Sequence, residues 1–124
     1  IIKNKKIKII KPLSFSDYVN LQINSLIVLS DSGSISEESS ILNFKALNLR
    51  DTHERHEAME EAVVMMVGID KKRILKGIKM MIDGKLNSKN KVVKDYKIEN
   101  VSNKVTKIVN SYIPYINKNI WKKN

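Results

Sequence analysis

Three observations predict an α/β fold built on a parallel sheet. Short β-branched or apolar runs alternate with helical periodicities over residues 7 to 82, the order expected of strand and crossover-helix units. One run, Leu26-Ile27-Val28-Leu29-Ser30, is apolar almost without interruption, as a strand covered on both faces requires. The chain has 124 residues, 42% hydrophobic and 29% charged, enough for one compact domain and its core.

In chain order, Ile7-Lys8-Ile9-Ile10 reads as a short strand stopped by Pro12. Ser14 to Leu26 then carries Phe15, Tyr18, Val19 and Leu21 at helical spacing, with Ser14 or Ser16 as cap. The strand around Leu26–Ser30 ends at Asp31-Ser32-Gly33-Ser34. A short helix from Ile35 to Leu42 follows, its early Glu37 and Glu38 suiting the positive end of the helix dipole. A third strand, Lys45 to Leu49, leads into the polar stretch Arg50-Asp51-Thr52-His53-Glu54-Arg55-His56-Glu57, expected to begin as loop and end as a short helix through Ala62. A fourth strand, Val63 to Val67, closes at Gly68. Asp70 then caps a helix to about Ile82, with Ile74, Leu75, Ile78, Met81 and Ile82 on its buried side and Gly84 at its end.

Residues 85–99 are lysine-rich and without periodicity, and are read as a basic linker between the domain at 1–84 and a helical segment at 100–124. In the latter Val101, Val105, Ile108, Val109, Tyr112, Ile116 and Ile120 form an apolar stripe, with a kink or break expected at Pro114. Four strands are few for a doubly wound sheet, and an edge starting at residue 7 would be exposed. The chain opens on Ile1, in what reads as the approach to a strand, the pattern of an incomplete product.

Lys and Arg number 23 against 13 Asp and Glu, a formal charge of +10. Five lysines crowd the first eleven residues and ten lie between Lys85 and Lys123, whereas eight acids between Asp31 and Glu61 face only Lys45, Arg50 and Arg55. Nucleic-acid binding is weighed for this surface and set behind solvated lysines. Cysteine is absent, which excludes disulfides, thiolate zinc sites and a cysteine nucleophile and suits a reducing cytoplasm. The longest apolar stretch, near Ala62–Val67, falls far short of the roughly 20 residues of a membrane-spanning helix, and no secretory signal is recognisable.

The strongest local feature is strand, Asp31-Ser32-Gly33-Ser34, helix. Ligands of parallel sheets sit beyond the carboxyl ends of strands, and a helix N-terminus offers N–H groups and a positive dipole to a phosphate. Gly33 would let backbone approach the anion; a plain serine-glycine helix cap is the competing reading. Ser32 does not make a hydrolase elbow, because Ser30 stands where that motif needs glycine. His53 and His56 are three apart, whereas the H-E-x-x-H zinc motif needs four, so loop hydrogen bonding or phosphate contact is preferred to a metal site. Arg55 could clasp a phosphate or pair with Glu37, Glu38 or Glu57. Met65-Met66 and Met80-Met81 read as core fillers, and Trp121 as an amphipathic docking anchor.

Leu29-Ser30-Asp31-Ser32-Gly33, Glu37-Glu38 and Asn48-Leu49-Arg50-Asp51-Thr52-His53-Glu54-Arg55 together resemble the non-hydrolysing UDP-N-acetylglucosamine 2-epimerase family. Glu60-Glu61-Ala62-Val63-Val64-Met65-Met66-Val67-Gly68 and the ending Asp95-Tyr96, Asn100-Val101-Ser102, Ser111-Tyr112 and Trp121-Lys122-Lys123 further resemble its UDP-N-acetyl-L-fucosamine-forming branch, in surface-polysaccharide synthesis. The resemblance implies a partial Rossmann-like domain, the later part of the second domain of a B-type glycosyltransferase-like fold. It implies that Ser32 and Gly33 hold the diphosphate, Glu38 the ribose hydroxyls, Arg55 the neighbourhood of the phosphates, and Tyr18 a stacking place for uracil. No catalytic residue, metal or cofactor is implied for this chain. The family's acid/base carboxylates belong to a first domain without counterpart here, so the implied partners are a UDP-sugar and a separate N-terminal domain chain. The departures are His56 and Lys45, each where the family usually has proline. A non-catalytic nucleotide or anion-binding module is the alternative.

Overall fold

The computed structural model describes residues 4–84 and 92–123. Three short parallel strands form its centre: β1 (Val28–Ser30), β2 (Ala46–Asn48) and β3 (Met65–Met66), in the spatial order β1-β2-β3. Val28 is in register with Ala46, and Leu47 with Met65. The helices are α1 (Phe15–Ile23), α2 (Ile35–Leu42), α3 (His56–Glu60), α4 (Lys71–Ile82) and α5 (Val101–Tyr115). A 3-10 turn, Lys94–Lys97, precedes α5, and a π-helical turn, Ile116–Ile120, follows it.

Caps begin the helices where the sequence places them. The Ser14 hydroxyl accepts the Asp17 N–H at 3.2 Å to open α1, and the Asp70 carboxylate accepts the Arg73 N–H at 2.9 Å to open α4. Helix α2 stops at Asn43, whose φ of 56° is the left-handed turn that asparagine tolerates.

The sheet is covered on one face and only in part on the other, so β1 is not the doubly covered strand its apolar run predicts: Leu29, in register with Leu47, remains exposed. On one, Ala46 meets Ile35 of α2, Phe44, Val63, Val64 and Val93, with Val28, Leu42 and Tyr96 against them. On the other, Leu47 is fully buried beneath α4. Gly77 makes that approach possible, since a Cβ there would fall 2.9 Å from Val67 Cγ1 and 3.2 Å from Leu47 Cδ1.

Three further expectations are corrected, and another falls in part outside the described residues. Residues 7–10 form no strand; Ile7, Ile9 and Ile10 are exposed, because β propensity yields a strand only where a neighbour completes the ladder. The buried side of α4 is narrower than its periodicity suggests, since Leu75 and Ile82 are exposed and its one fully buried residue is Gly77. Pro114 does not break α5. The helix runs through it, and its hydrogen bonding widens just beyond, where Trp121 N–H bonds the Ile116 carbonyl at 3.0 Å. Residues 85–91 of the segment read as linker lie outside the described residues. Its described part is anchored, with Val93 buried in the core and Tyr96 half-buried against it.

The apolar stripe of α5 falls on a helix in which none of the fifteen residues is buried. Val109, Tyr112, Ile113, Ile116 and Trp121 line a cavity of about 290 Å³ along it. The Trp121 ring carries the Lys123 ammonium 4.8 Å above its centre. Among the described residues, no helix is long and apolar enough to cross a membrane.

Candidate functional site at the carboxyl edge of the sheet

Strands β1 and β2 end at Ser30 and Asn48, and the loops that follow lie side by side. In the first loop the Ser32 N–H donates to Ser30 Oγ at 3.1 Å, the Ser34 N–H donates to Ser32 Oγ at 3.3 Å, and the Ser32 and Ser34 hydroxyls are 2.8 Å apart. These contacts curl the backbone into the start of α2, with Ser34 as its cap residue.

Gly33 is not demanded by the protein's own packing. A Cβ there would meet nothing nearer than Glu54 Oε2 at 3.7 Å and Arg50 Nη1 at 3.9 Å, ordinary contact distances. Contacts within the chain therefore do not account for a glycine here. The Arg50 guanidinium, bonded to Glu54 Oε1 at 3.3 Å, lies beside the Ser32-Gly33 loop. Sequence reasoning missed it; the available signal was its place two residues beyond the end of a strand.

Arg55 takes one of the pairings expected for it. Its Nε donates to Glu37 Oε1 at 2.6 Å, and that bond holds the guanidinium firmly protonated. Its two terminal nitrogens make no hydrogen bond among the described residues, and the side chain is 37% exposed. His53 fixes the turn leading to it. Its Nδ1 accepts the Arg55 N–H at 2.9 Å, which places the ring proton on Nε2, 3.4 Å from Ser36 Oγ. One ring nitrogen is thus spent on the loop and the other faces α2, the hydrogen-bonding side of the two roles expected of this histidine.

Glu38 gathers the remaining donors. Ser34 Oγ donates to its Oε1 at 2.8 Å, and its Oε2 accepts from Tyr18 Oη at 3.3 Å and from Gln22 Nε2. Tyr18 and Gln22 are one turn apart on α1, so two helices converge on one carboxylate. Burial first and Glu38 second push the Tyr18 phenol above its ordinary value. Phe15, Tyr18, Val19, Ile41 and Leu42 line an apolar cavity of about 290 Å³ with Glu37 and Glu38 on its wall.

Ser32, Gly33, Glu38 and Tyr18 therefore share one rim, joined through Ser34. Arg55 reaches the same helix through Glu37, one residue before Glu38. Gln22, missed with Arg50, is a buried polar side chain, 4% exposed. Its signal was the four-residue spacing from Tyr18.

The chain matches a family model described as UDP-N-acetylglucosamine 2-epimerase over residues 1–110. Its similar proteins include the UDP-N-acetylglucosamine 2-epimerase of Methanocaldococcus jannaschii, 39% identical over 87 residues, which are 70% of this chain and 24% of that one. The structure of UDP-N-acetylglucosamine 2-epimerase from Rickettsia bellii superposes with a TM-score of 0.83 at 43% identity, covering 95% of this chain and 33% of that one. The structure of the Methanocaldococcus jannaschii enzyme superposes at 0.66 with 30% identity, covering 88% and 29%. The chain spans between about a quarter and a third of the length of these relatives. The small parallel sheet is accordingly a partial Rossmann-like domain, and the chain belongs to the UDP-N-acetylglucosamine 2-epimerase family.

Proposed function

We propose that this chain forms the UDP-binding half-site of a UDP-sugar 2-epimerase and catalyses nothing by itself. The observation that carries the reading is the rim at the carboxyl edge of the sheet: open backbone at Ser32-Gly33, a braced Glu38 one turn later, and two guanidinium groups nearby. The loop N–H groups and the start of α2 suit a diphosphate, with the free terminal nitrogens of Arg55 at hand. The Glu38 carboxylate accepts the ribose hydroxyls, and the Tyr18 ring lies beside it for the uracil.

The reaction of such an enzyme removes UDP by elimination and returns it with C2 inverted. Taking the C2 proton and releasing UDP need groups on both walls of a cleft. This chain supplies one wall, so a first domain is needed to complete the cleft. Within the family we place the chain in the UDP-N-acetyl-L-fucosamine-forming branch, on the Glu60–Gly68 motif and the ending through Trp121-Lys122-Lys123. We place it in the cytoplasm, with which the absence of cysteine is compatible.

The test is a thermal melt of the purified chain with and without UDP, repeated with a separately expressed first domain. UDP raises the melting temperature, because a ligand bound only by the folded state stabilises it, and UDP-sugar turnover appears only in the mixture. A melt indifferent to saturating UDP overturns the half-site, and turnover by the chain alone overturns its dependence on a partner.

A further inference from the structure

The Gln22 side chain is costly where it stands. It is 4% exposed, its Nε2 donates to Glu38 Oε2, and its Oε1 is buried with no hydrogen-bond partner among the described residues. Burying an amide with half its capacity unmet is unfavourable, and Met or Leu would fill the same space between α1 and α2 without that penalty. Packing alone therefore does not account for it.

What the amide does is hold a carboxylate. Glu38 has about four acceptor positions on its two oxygens. Ser34 takes one on Oε1, while Gln22 and Tyr18 take those on Oε2. The three bonds are unequal. Gln22 is the buried one, whereas Tyr18 Oη is 3.3 Å away on a side chain 40% exposed. A hydroxyl arriving from outside can take the open position on Oε1 and displace Tyr18 from Oε2. It does not displace Gln22, whose side chain is only 4% exposed.

We infer that Gln22 is a positioning residue, which locks the plane of the Glu38 carboxylate so that it presents two acceptors to the hydroxyls of a bound ribose. This rests on the half-site reading above. Ribose discrimination then belongs to Gln22 and Glu38 as a unit, and the Tyr18 hydroxyl holds the acceptor position of a ribose hydroxyl until nucleotide arrives.

The experiment is titration calorimetry of the full chain with UDP and with 2′-deoxy-UDP, on the wild type and on Gln22→Met. The wild type prefers UDP by about tenfold or more, as a hydrogen bond to a charged acceptor predicts. In Gln22→Met the preference collapses to about twofold while 2′-deoxy-UDP still binds, since an unanchored carboxylate loses orientation rather than the site. A purely structural role for Gln22 would weaken both nucleotides alike and leave their ratio standing, which overturns the inference while the half-site survives. No preference in the wild type overturns the inference and the ribose role of Glu38 together. Should Gln22→Met fail to fold, the wild-type side-chain amide resonances of Gln22 decide. They shift on adding UDP, and less with 2′-deoxy-UDP; resonances unmoved by saturating UDP overturn the assignment.

Discussion

Helices α2 and α5 are opposites in how their sequences relate to their surroundings. Helix α2 has eight residues, and its buried face is Ile35, Ser36, Ser39 and Ser40, three hydroxyls and one hydrocarbon. Helix α5 has fifteen residues and an apolar stripe along its length, and buries none of them. Periodic hydropathy states that a face can be covered, and says nothing of what covers it or whether the cover lies in the same chain. Close approach between elements asks for small side chains, and serine meets that demand provided each hydroxyl finds a partner. Here Ser36 faces His53, Ser39 Oγ donates to the Ser36 carbonyl, and Ser40 Oγ accepts the Val93 N–H at 3.0 Å.

The contrast is broken most forcefully at Ile35, fully buried where α2 meets the sheet. Ile35→Ala is expected to cost about 2–5 kcal/mol, read from urea unfolding of the isolated chain. Next comes Ser40→Ala, which adds no bulk but strands the buried Val93 N–H; we expect a loss of about 1–3 kcal/mol and earlier hydrogen exchange at Val93.

A smaller effect resides in pH. The Tyr96 hydroxyl donates to Glu57 Oε1 at 2.9 Å and ties the 3-10 turn to α3. Burial first and then Glu57 push the Tyr96 phenol well above its ordinary 10.0, while backbone hydrogen bonding first and Tyr96 second hold Glu57 below its ordinary 4.5. The raised phenol contributes stability fully present below pH 10 and lost as pH rises beyond it. The depressed carboxylate contributes stability present above pH 4.5 and lost as pH falls through its lowered value. Melting temperature should therefore fall at both extremes. In Tyr96→Phe both declines become shallower, the alkaline one retaining the contribution of the raised Tyr18 phenol. The smallest effect is that of Ile108→Ala on α5, within about 0.5 kcal/mol for the isolated chain, because the residue is exposed. A larger loss would mean that α5 is covered in solution, and the comparison with α2 would fail.

These residues also mark how far sequence reasoning reached. The bounds of α2 were legible because a serine-glycine turn precedes Ile35, acids occupy its first turn and an asparagine follows Leu42. Its serine face was not, since hydropathy counts a buried hydroxyl as a surface one. Residues 7–10 misled because alternation with β-branched side chains is a local property and pairing is not. At the site, Ser32 and Gly33 were named from one contiguous stretch and Glu38 from the family resemblance, and the structure puts the three on one rim. Their link to Tyr18 spans twenty residues, and the contact of Gln22 with Glu38 is formed only where α1 lies against α2.

The exposed stripe of α5 also governs how this chain behaves in concentrated solution. From Val101 to the end there are five lysines and no acid, so the apolar face travels with a single sign of charge. At about 0.01 M salt that charge is felt over roughly 30 Å and keeps copies apart; at about 0.15 M its reach shrinks to roughly 8 Å. Ionic strength therefore sets how closely the terminal helices of two copies can approach, with the sheet and its site unchanged.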